Sequence, residues 1–403
     1  PPIFSSRRRH TRYADRSRGL GDVYKRQLLV CSLLGAAAAQ TASAWDHPSH
    51  MTTAAVAFTE IERQRPDLIE PLGLMMMRHP DPAPFWVAAS GATDSRERTR
   101  RMFIQASRWP DDSKGTSNDR LSWHSARFPI IADDATEETR ALIEARAGDP
   151  AGDAIEALQL QAAVMANPEA GADERALALT WFLHITGDIH QPLHTTDFFS
   201  AEYPTGNAAG GMSYVWDPLQ DSATTLHIWW DSNFFRSTAL EDVDRYAAEL
   251  VEKYPRSAFE QLGTPSKKPD FEAWVRETHQ IGVDFVYGGG LEFVSDPDKG
   301  QTTEQMVGKM VKYILFGVSP VEEAPEVPAE YWDQLQEIAR SQVTLAGYRM
   351  ADVIIAAADS LIADRSLSGR LLDAADNVTD RACLLYTSPS QRDQRPNLVF
   401  RHM

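Results

Sequence analysis

The sequence predicts a mostly α-helical, single-domain fold, and three observations predict it. Apolar residues recur at helical spacing through most of the chain, runs that alternate apolar and polar residues are scarce, and no internal repeat is evident. With 403 residues, 43% of them hydrophobic and 24% charged, the chain can bury a large core of ordinary composition.

The elements follow in order. Met51 to Gln64 carries Ala55, Phe58 and Ile61 on one stripe, a helix with His50 just before it. His47 is read as a solvent-exposed bystander and His79, ahead of Pro80 and Asp81, as a loop histidine. The Met75–Met77 run reads as core filler. In ASRWPDDSK, Pro110 and the acids Asp111 and Asp112 mark a turn or a helix start. Thr136 to Ala166 reads as one or two surface helices around Gly148-Asp149-Pro150. Thr195 to Asp217 reads as a long glycine-rich loop suited to binding substrate. Val243–Tyr254, Asp270–Val286 and Ala329–Ile362 read as helices, with loops at Gly288–Gly290, Ser295–Gly300 and Val318–Pro328.

The ends differ from the body. Residues 1–27 hold eight Lys/Arg against two acids without apolar periodicity, and residues 383–403 are equally patternless; both resemble translated adapter sequence. Between them, Leu28–Ala44 is a short apolar run ending in Ala42-Ser43-Ala44, the pattern of a cleaved secretory signal too short to span a membrane. Export is therefore expected, to the periplasm or the medium, with Trp45 as the mature N-terminus and residues 45–382 as the folded domain. That body has 29 Lys/Arg and 54 Asp/Glu, a charge of −25 that disfavours a broad basic nucleic-acid patch. A phosphate substrate would have to be attracted locally. Cys31 and Cys383 both fall outside the body, so metal ligands there must come from His, Asp and Glu.

The stretch WFLHITGDIHQPLH supplies them. His184 and Asp188 are four residues apart and share one helix face; Pro192 ends or bends that helix, and His194 follows on a segment free to point back. His227 and Asp231 repeat the spacing in LHIWWD. One such pair is a common coincidence of a helix surface. Two pairs and an extra His make a neutral-nitrogen and carboxylate set of the kind zinc prefers.

In order, Trp45, His50, Trp109-x-Asp111, Trp123-His124, His184-x-x-Gly187-Asp188-x-His190-Gln191-Pro192-Leu193-His194 and Leu226-His227-x-x-Trp230-Asp231 resemble the secreted zinc-dependent single-strand nucleases of the S-one/P-one type, distantly related to bacterial zinc phospholipases C. Softer matches are Trp274/Glu277 and Ala346-Gly347-x-Arg349-x-Ala351. The resemblance implies an α-helical bundle with a trinuclear zinc cleft. In it Asp111, His124, His184 and Asp188 hold one Zn2+; His194, His227 and Asp231 hold a second; and the amine and carbonyl of Trp45, with His50 and Asp188, hold a third. It further implies a monomeric hydrolase without stable membrane association. Such an enzyme cuts single-stranded DNA, RNA or 3′-nucleotides to 5′-phosphates, with Asp111, Lys114 and Asp188 in the catalytic machinery and Lys114 standing where an Arg is usual.

The substrate-binding positions depart from the family. Ser125 and Arg127 replace an aromatic and an Asp or Asn, and the Gly-Gly-Asn of the glycine loop is Gly210, Gly211 and Met212. The base pocket is therefore altered, or rebuilt from Phe128, Tyr214 or Trp216. His190 and His279 map to no ligand and read as structural. A zinc phosphodiesterase of other specificity, such as a phospholipase C, is the alternative; a non-catalytic zinc-binding protein is a third reading.

Overall fold

The computed structural model describes residues 45–363 except 147, 219, 233, 263–268 and 296–323. The adapter-like ends, the signal-like run, both cysteines and most of the loops expected at Ser295–Gly300 and Val318–Pro328 lie outside the described residues. Eleven helices make up most of it: α1 His47–Gln64, α2 Ile69–Met76, α3 Ala83–Ala89, α4 Ser95–Asp112, α5 Glu137–Glu144, α6 Ala154–Ala166, α7 Ala172–Asp188, α8 Leu226–Ser232, α9 Leu240–Lys253, α10 Phe271–Ile281 and α11 Ala329–Ala363. The mostly α fold is thus observed.

Caps explain where several helices begin. Asp46 Oδ1 accepts from the Ser49 N–H at 3.0 Å and the Ser49 hydroxyl at 2.6 Å, starting α1 ahead of the expected Met51. Asp94 accepts from Glu97 N at 2.7 Å to start α4, and Asp270 from Ala273 N at 3.0 Å to start α10. The early start of α4 corrects the reading of Pro110. Met102, Phe103, Ala106 and Trp109 form a buried stripe that carries the helix through the proline into its last turn. Asp111 and Asp112 therefore end a helix rather than begin one, and the stripe's burial outweighs the one backbone hydrogen bond Pro110 cannot make.

α1 divides the core. Ala54, Ala57, Phe58 and Ile61 face one apolar cluster with α4, α6 and α7, whereas Met51, Ala55 and Val56 face another with Trp229, Trp230, α9 and α11. α11, about 52 Å long at 1.5 Å per residue, runs against α1, α6, α7 and α9. Five short strands went unread in the sequence: β1 Phe128–Ile131, β2 Thr196–Phe199, β3 Ser213–Asp217, β4 Ser222–Thr225 and β5 Val294–Ser295. β1 and β2 pair in parallel, Phe128 opposite Thr196; β3 lies between β4 and β5, antiparallel to both. They are too short to show an alternating pattern, and β2 and β3 occupy the stretch read as loop. Asp270–Val286 is likewise not one helix, since Gly282–Tyr287 widens into a π-turn.

α1 and α11 meet at Gly347, where an added Cβ would lie 2.6 Å from Val56 Cγ1 and 2.9 Å from the Thr53 carbonyl oxygen. Backbone cannot yield there as a side chain can. Gly347→Ala is expected to destabilise the protein by about 1–3 kcal/mol, the usual cost of overpacking. Chemical denaturation measures it, and an unchanged midpoint would contradict the close approach.

Candidate metal centre

Six separate segments deliver the site. His50 stands in the first turn of α1, and Asp111 at the end of α4. His124 closes a 3₁₀ turn, Leu121–His124; His184 and Asp188 share the last turn of α7; His194 closes a second 3₁₀ turn, Pro192–His194; His227 and Asp231 lie on α8. The two 3₁₀ turns are bound side by side, because Ala126 N donates to the His194 carbonyl at 3.0 Å and Phe128 N to that of Thr195 at 2.9 Å. This is the β1–β2 ladder extended backwards, and it puts His124 and His194 next to each other.

Asp188 is the hub. Its Oδ1 is 3.2 Å from His50 Nε2, and its Oδ2 is 3.0 Å from His124 Nδ1 and 3.3 Å from His184 Nε2. His184 Nε2 is also 3.0 Å from His124 Nδ1 and 3.6 Å from Asp111 Oδ1. His227 Nε2 lies 3.4 Å from Asp231 Oδ2, and the His194 and His227 ring centroids are 4.9 Å apart. Three groups result, each buried: His50, His184 and Asp188; Asp111, His124 and His184; His194, His227 and Asp231. All eight side chains expected as ligands are brought together.

These contacts are compatible with a shared cation. Ligand atoms at zinc distances from one tetrahedral ion lie about 3.3–3.6 Å apart, close to the spacings observed. Backbone carbonyls also fix which ring nitrogen faces inward. His184 Nδ1–H donates to Ser107 O at 2.8 Å, His194 Nδ1–H to His124 O at 2.6 Å, and His227 Nδ1–H to Ala209 O at 2.9 Å. Each Nε2 is thereby the unprotonated nitrogen and is turned toward the neighbouring ligands, the orientation that a carbonyl behind the ring gives a metal-binding imidazole. His194 Nε2 is buried without a hydrogen-bond partner, as is His50 Nδ1. Burial pushes the Asp188 and Asp231 carboxyls well above the usual carboxylate range and the His50, His124, His184 and His194 imidazoles well below theirs. Bare, the pocket disfavours its own ionised acids; a divalent cation would reverse that.

The other expected residues fall around this centre. Trp45 is fully buried, its ring edge-on to Phe234 at 5.5 Å, and the next residue's N–H donates to Asp231 O at 3.1 Å. Lys114 Nζ sits 2.6 Å from Asp111 Oδ1, beside the cleft. Ser125 turns its carbonyl to Ala154 N at 3.1 Å, while Arg127 is bridged by backbone to Ala151. Gly211 and Met212 form the turn after Ala208, Ala209 and Gly210, whose φ values are 53°, 57° and 85°. Two alanines in the left-handed region are costly. The strain aims the Ala209 carbonyl at His227 and the Ala209 N–H at Asp197 Oδ1, 3.2 Å away. Phe128 offers no open face for a base: it is buried, with Arg276 Cζ 4.2 Å over its ring and His279 edge-on.

Some contributors were missed or misjudged in sequence. Gln191 Nε2 donates to Asp231 Oδ1 at 2.7 Å, orienting the carboxylate from inside the HQPLH turn. His190 is held from both sides, by Thr186 O at 2.7 Å and by the buried Arg349 at 2.9 Å, which also pairs with Glu277. His79 lies in a loop as expected but is buried there, whereas His47, expected to be exposed, is half-buried, 3.7 Å from Asp112 Oδ1.

The S1/P1 nuclease family profile matches residues 45–359. The chain belongs to this family. It is 25% identical over 202 residues to Nuclease S1 of Aspergillus oryzae, a match covering 50% of this chain and 61% of that protein. Among the described residues no helix is long and apolar enough to cross a membrane.

Gly187, between His184 and Asp188, lets α1 approach, since an added Cβ would lie 2.9 Å from His50 Nδ1. Gly187→Ala is expected to push the His50 ring off Asp188 and weaken metal uptake by about 10–100-fold, the range for a disturbed outer shell. Zinc calorimetry checks this; unchanged titration would show that His50 tolerates the methyl group.

Proposed function

We propose that the chain is an exported zinc endonuclease and 3′-nucleotidase that hydrolyses phosphodiester bonds of single-stranded DNA and RNA to 5′-phosphate products. The observation that carries this is the shared Asp188 carboxylate, with histidines from three segments on its two oxygens, in a chain of the S1/P1 family. The chain spans about three fifths of the length of the curated relative it matches.

Three Zn2+ ions are proposed. Asp111, His124, His184 and Asp188 would hold one; His194, His227 and Asp231 a second; His50, Asp188 and the freed amine and carbonyl of Trp45 the third. Bound there, zinc would supply an activated water near neutral pH and Lewis-acid stabilisation of phosphoryl charge. The protein's own groups do the rest. Asp188 fixes the spacing between two of the sites. Asp111, paired with Lys114, keeps a cationic side chain at the cleft, where its point charge would steady the phosphoryl oxygens. Burial of the donors excludes bulk water and strengthens each of these interactions. Signal removal would expose the α-amine of Trp45, a group that titrates near pH ~8 and so can give up its proton to a metal. A single strand can splay its phosphodiester into such a cleft; a stacked duplex cannot. The chain would act as a monomer without stable membrane association.

Zinc-loaded protein beginning at Trp45 is expected to cut single-stranded DNA to 5′-phosphate ends, with a chelated sample inert. Asp188→Asn should lower kcat by about a hundred- to a thousandfold, the scale lost when a charge-stabilising group is removed. Absence of cleavage despite three bound zinc ions would overturn the nuclease reading and direct attention to phospholipids and small phosphodiesters.

A further inference from the structure

Most buried polar atoms of the cleft without a hydrogen-bond partner belong to the expected metal ligands; Arg127 carries one and is not among those ligands. Its backbone is fixed on both sides: Arg127 N donates to Ala151 O and Ala151 N to Arg127 O, each at 2.8 Å, and the preceding N–H is bound to His194 O. The side chain therefore leaves a rigid strand start three residues past His124. Its Nε is buried and has no hydrogen-bond partner. It lies within electrostatic reach of the His194 imidazole and of the Asp197 carboxyl.

Asp197 attracts this charge without bonding to it. No ion pair joins it to Arg127 among the described residues, and its Oδ1 instead accepts the Ala209 N–H, with Gly206 packed against the carboxylate. Asp197 thus holds the glycine loop whose Ala209 carbonyl orients His227. Arg127 stands near that arrangement, within electrostatic reach of both His194 and Asp197. A guanidinium Nε buried without an acceptor is costly unless a ligand supplies one. The surroundings do not suit a base in that role. Ser125 has no aromatic face, and Trp123 is edge-on to Trp181 at 5.0 Å with Arg120 Cζ 5.7 Å over its ring. An acceptor-rich anion matches better, because a guanidinium binds phosphate oxygens through paired, charge-assisted hydrogen bonds.

We propose that Arg127 anchors a second phosphate of the substrate, beyond the one being cleaved, so that the site prefers nucleotides carrying two or more phosphates over those carrying one. The proposal rests on the phosphodiester-hydrolase reading of the metal centre. The acidic body adds to the reason for such an anchor: with a net charge of −25 over residues 45–382, the protein repels every additional phosphate that it does not specifically hold.

The test uses zinc-loaded protein and two pairs of thymidine dinucleotides, the members of each pair differing only by a terminal phosphate, at the 5′ end in one pair and at the 3′ end in the other. The intact protein is expected to favour a phosphorylated dinucleotide in kcat/KM by about tenfold or more, the scale of a charge-assisted hydrogen bond, through KM rather than kcat. In Arg127→Gln that ratio should collapse toward unity, and the slope of log KM against log salt should fall by about 0.7, the share of one phosphate contact on a single strand. Calorimetric titration with the cleavage-resistant phosphorothioate dinucleotides should show the same loss as weaker binding. Equal kcat/KM for both members of each pair in the intact protein would overturn the proposal while leaving the hydrolase reading intact. So would an Arg127→Gln protein that keeps the preference, or one that loses a preference among bases instead. Cleavage of none of the dinucleotides by the intact, zinc-loaded protein would overturn the hydrolase reading and this inference with it.

Discussion

The interaction on which the rest of this structure depends is the one carboxylate of Asp188. It is wholly buried, and both of its oxygens are engaged, Oδ1 facing His50 and Oδ2 facing His124 and His184. Burying a lone carboxylate is prohibitive, so α1, the Leu121–His124 turn and α7 must converge to a few tenths of an ångström for its neighbours to compensate. Gly187 permits the approach of α1, and the α1–α11 contact at Gly347 holds α1 at that depth from behind. The helical bundle is the means by which side chains far apart in sequence share one small volume.

A second constraint acts through the backbone. The inward-facing nitrogens of His184, His194 and His227 are chosen by carbonyl oxygens of Ser107, His124 and Ala209. A carbonyl cannot be changed by substituting its own side chain, so these orientations are set by the path of the chain. The left-handed Ala208 and Ala209 are the conspicuous case, since nothing in an alanine favours that conformation. Their strain is tolerated because Asp197 holds the Ala209 amide and the Ala209 carbonyl in turn holds His227.

This division explains what could be read in advance. His184 with Asp188, and His227 with Asp231, were legible because helical geometry converts a spacing of four into a shared face. The helix content was legible for the same reason, from recurring apolar stripes. The four-residue strands were not, being shorter than the pattern that reveals a strand. Pro110 misled because a proline ordinarily marks a boundary, whereas the buried stripe ending at Trp109 carries α4 past it. Gln191, the Ser107 carbonyl and the Ala209 carbonyl left no trace, since an amide beside a proline or a carbonyl in a loop has no sequence signature until the partner is in place. His190 and Arg349 could be singled out, but their mutual contact joins residues 159 positions apart and only the fold supplies it.

Electrostatics links the site to its setting. Acid outweighs base across the body, and three further carboxylates, Asp111, Asp188 and Asp231, line the cleft. Left bare, such a cleft would repel a nucleic acid at every range, and burial already drives Asp188 and Asp231 toward their neutral forms. On the proposed reading, bound divalent cations reverse the sign of the field where the substrate must enter, with Lys114 and Arg127 the nearby side chains of matching charge. Metal loading and substrate affinity then cease to be separable properties. A change that expels one ion would lose affinity for a phosphate as well as chemistry upon it, whereas a change at Arg127 would, on the same reading, touch affinity alone. With cations bound, the cleft would be selective without a basic surface, because its attraction would extend only about one Debye length from them, roughly 8 Å at physiological salt.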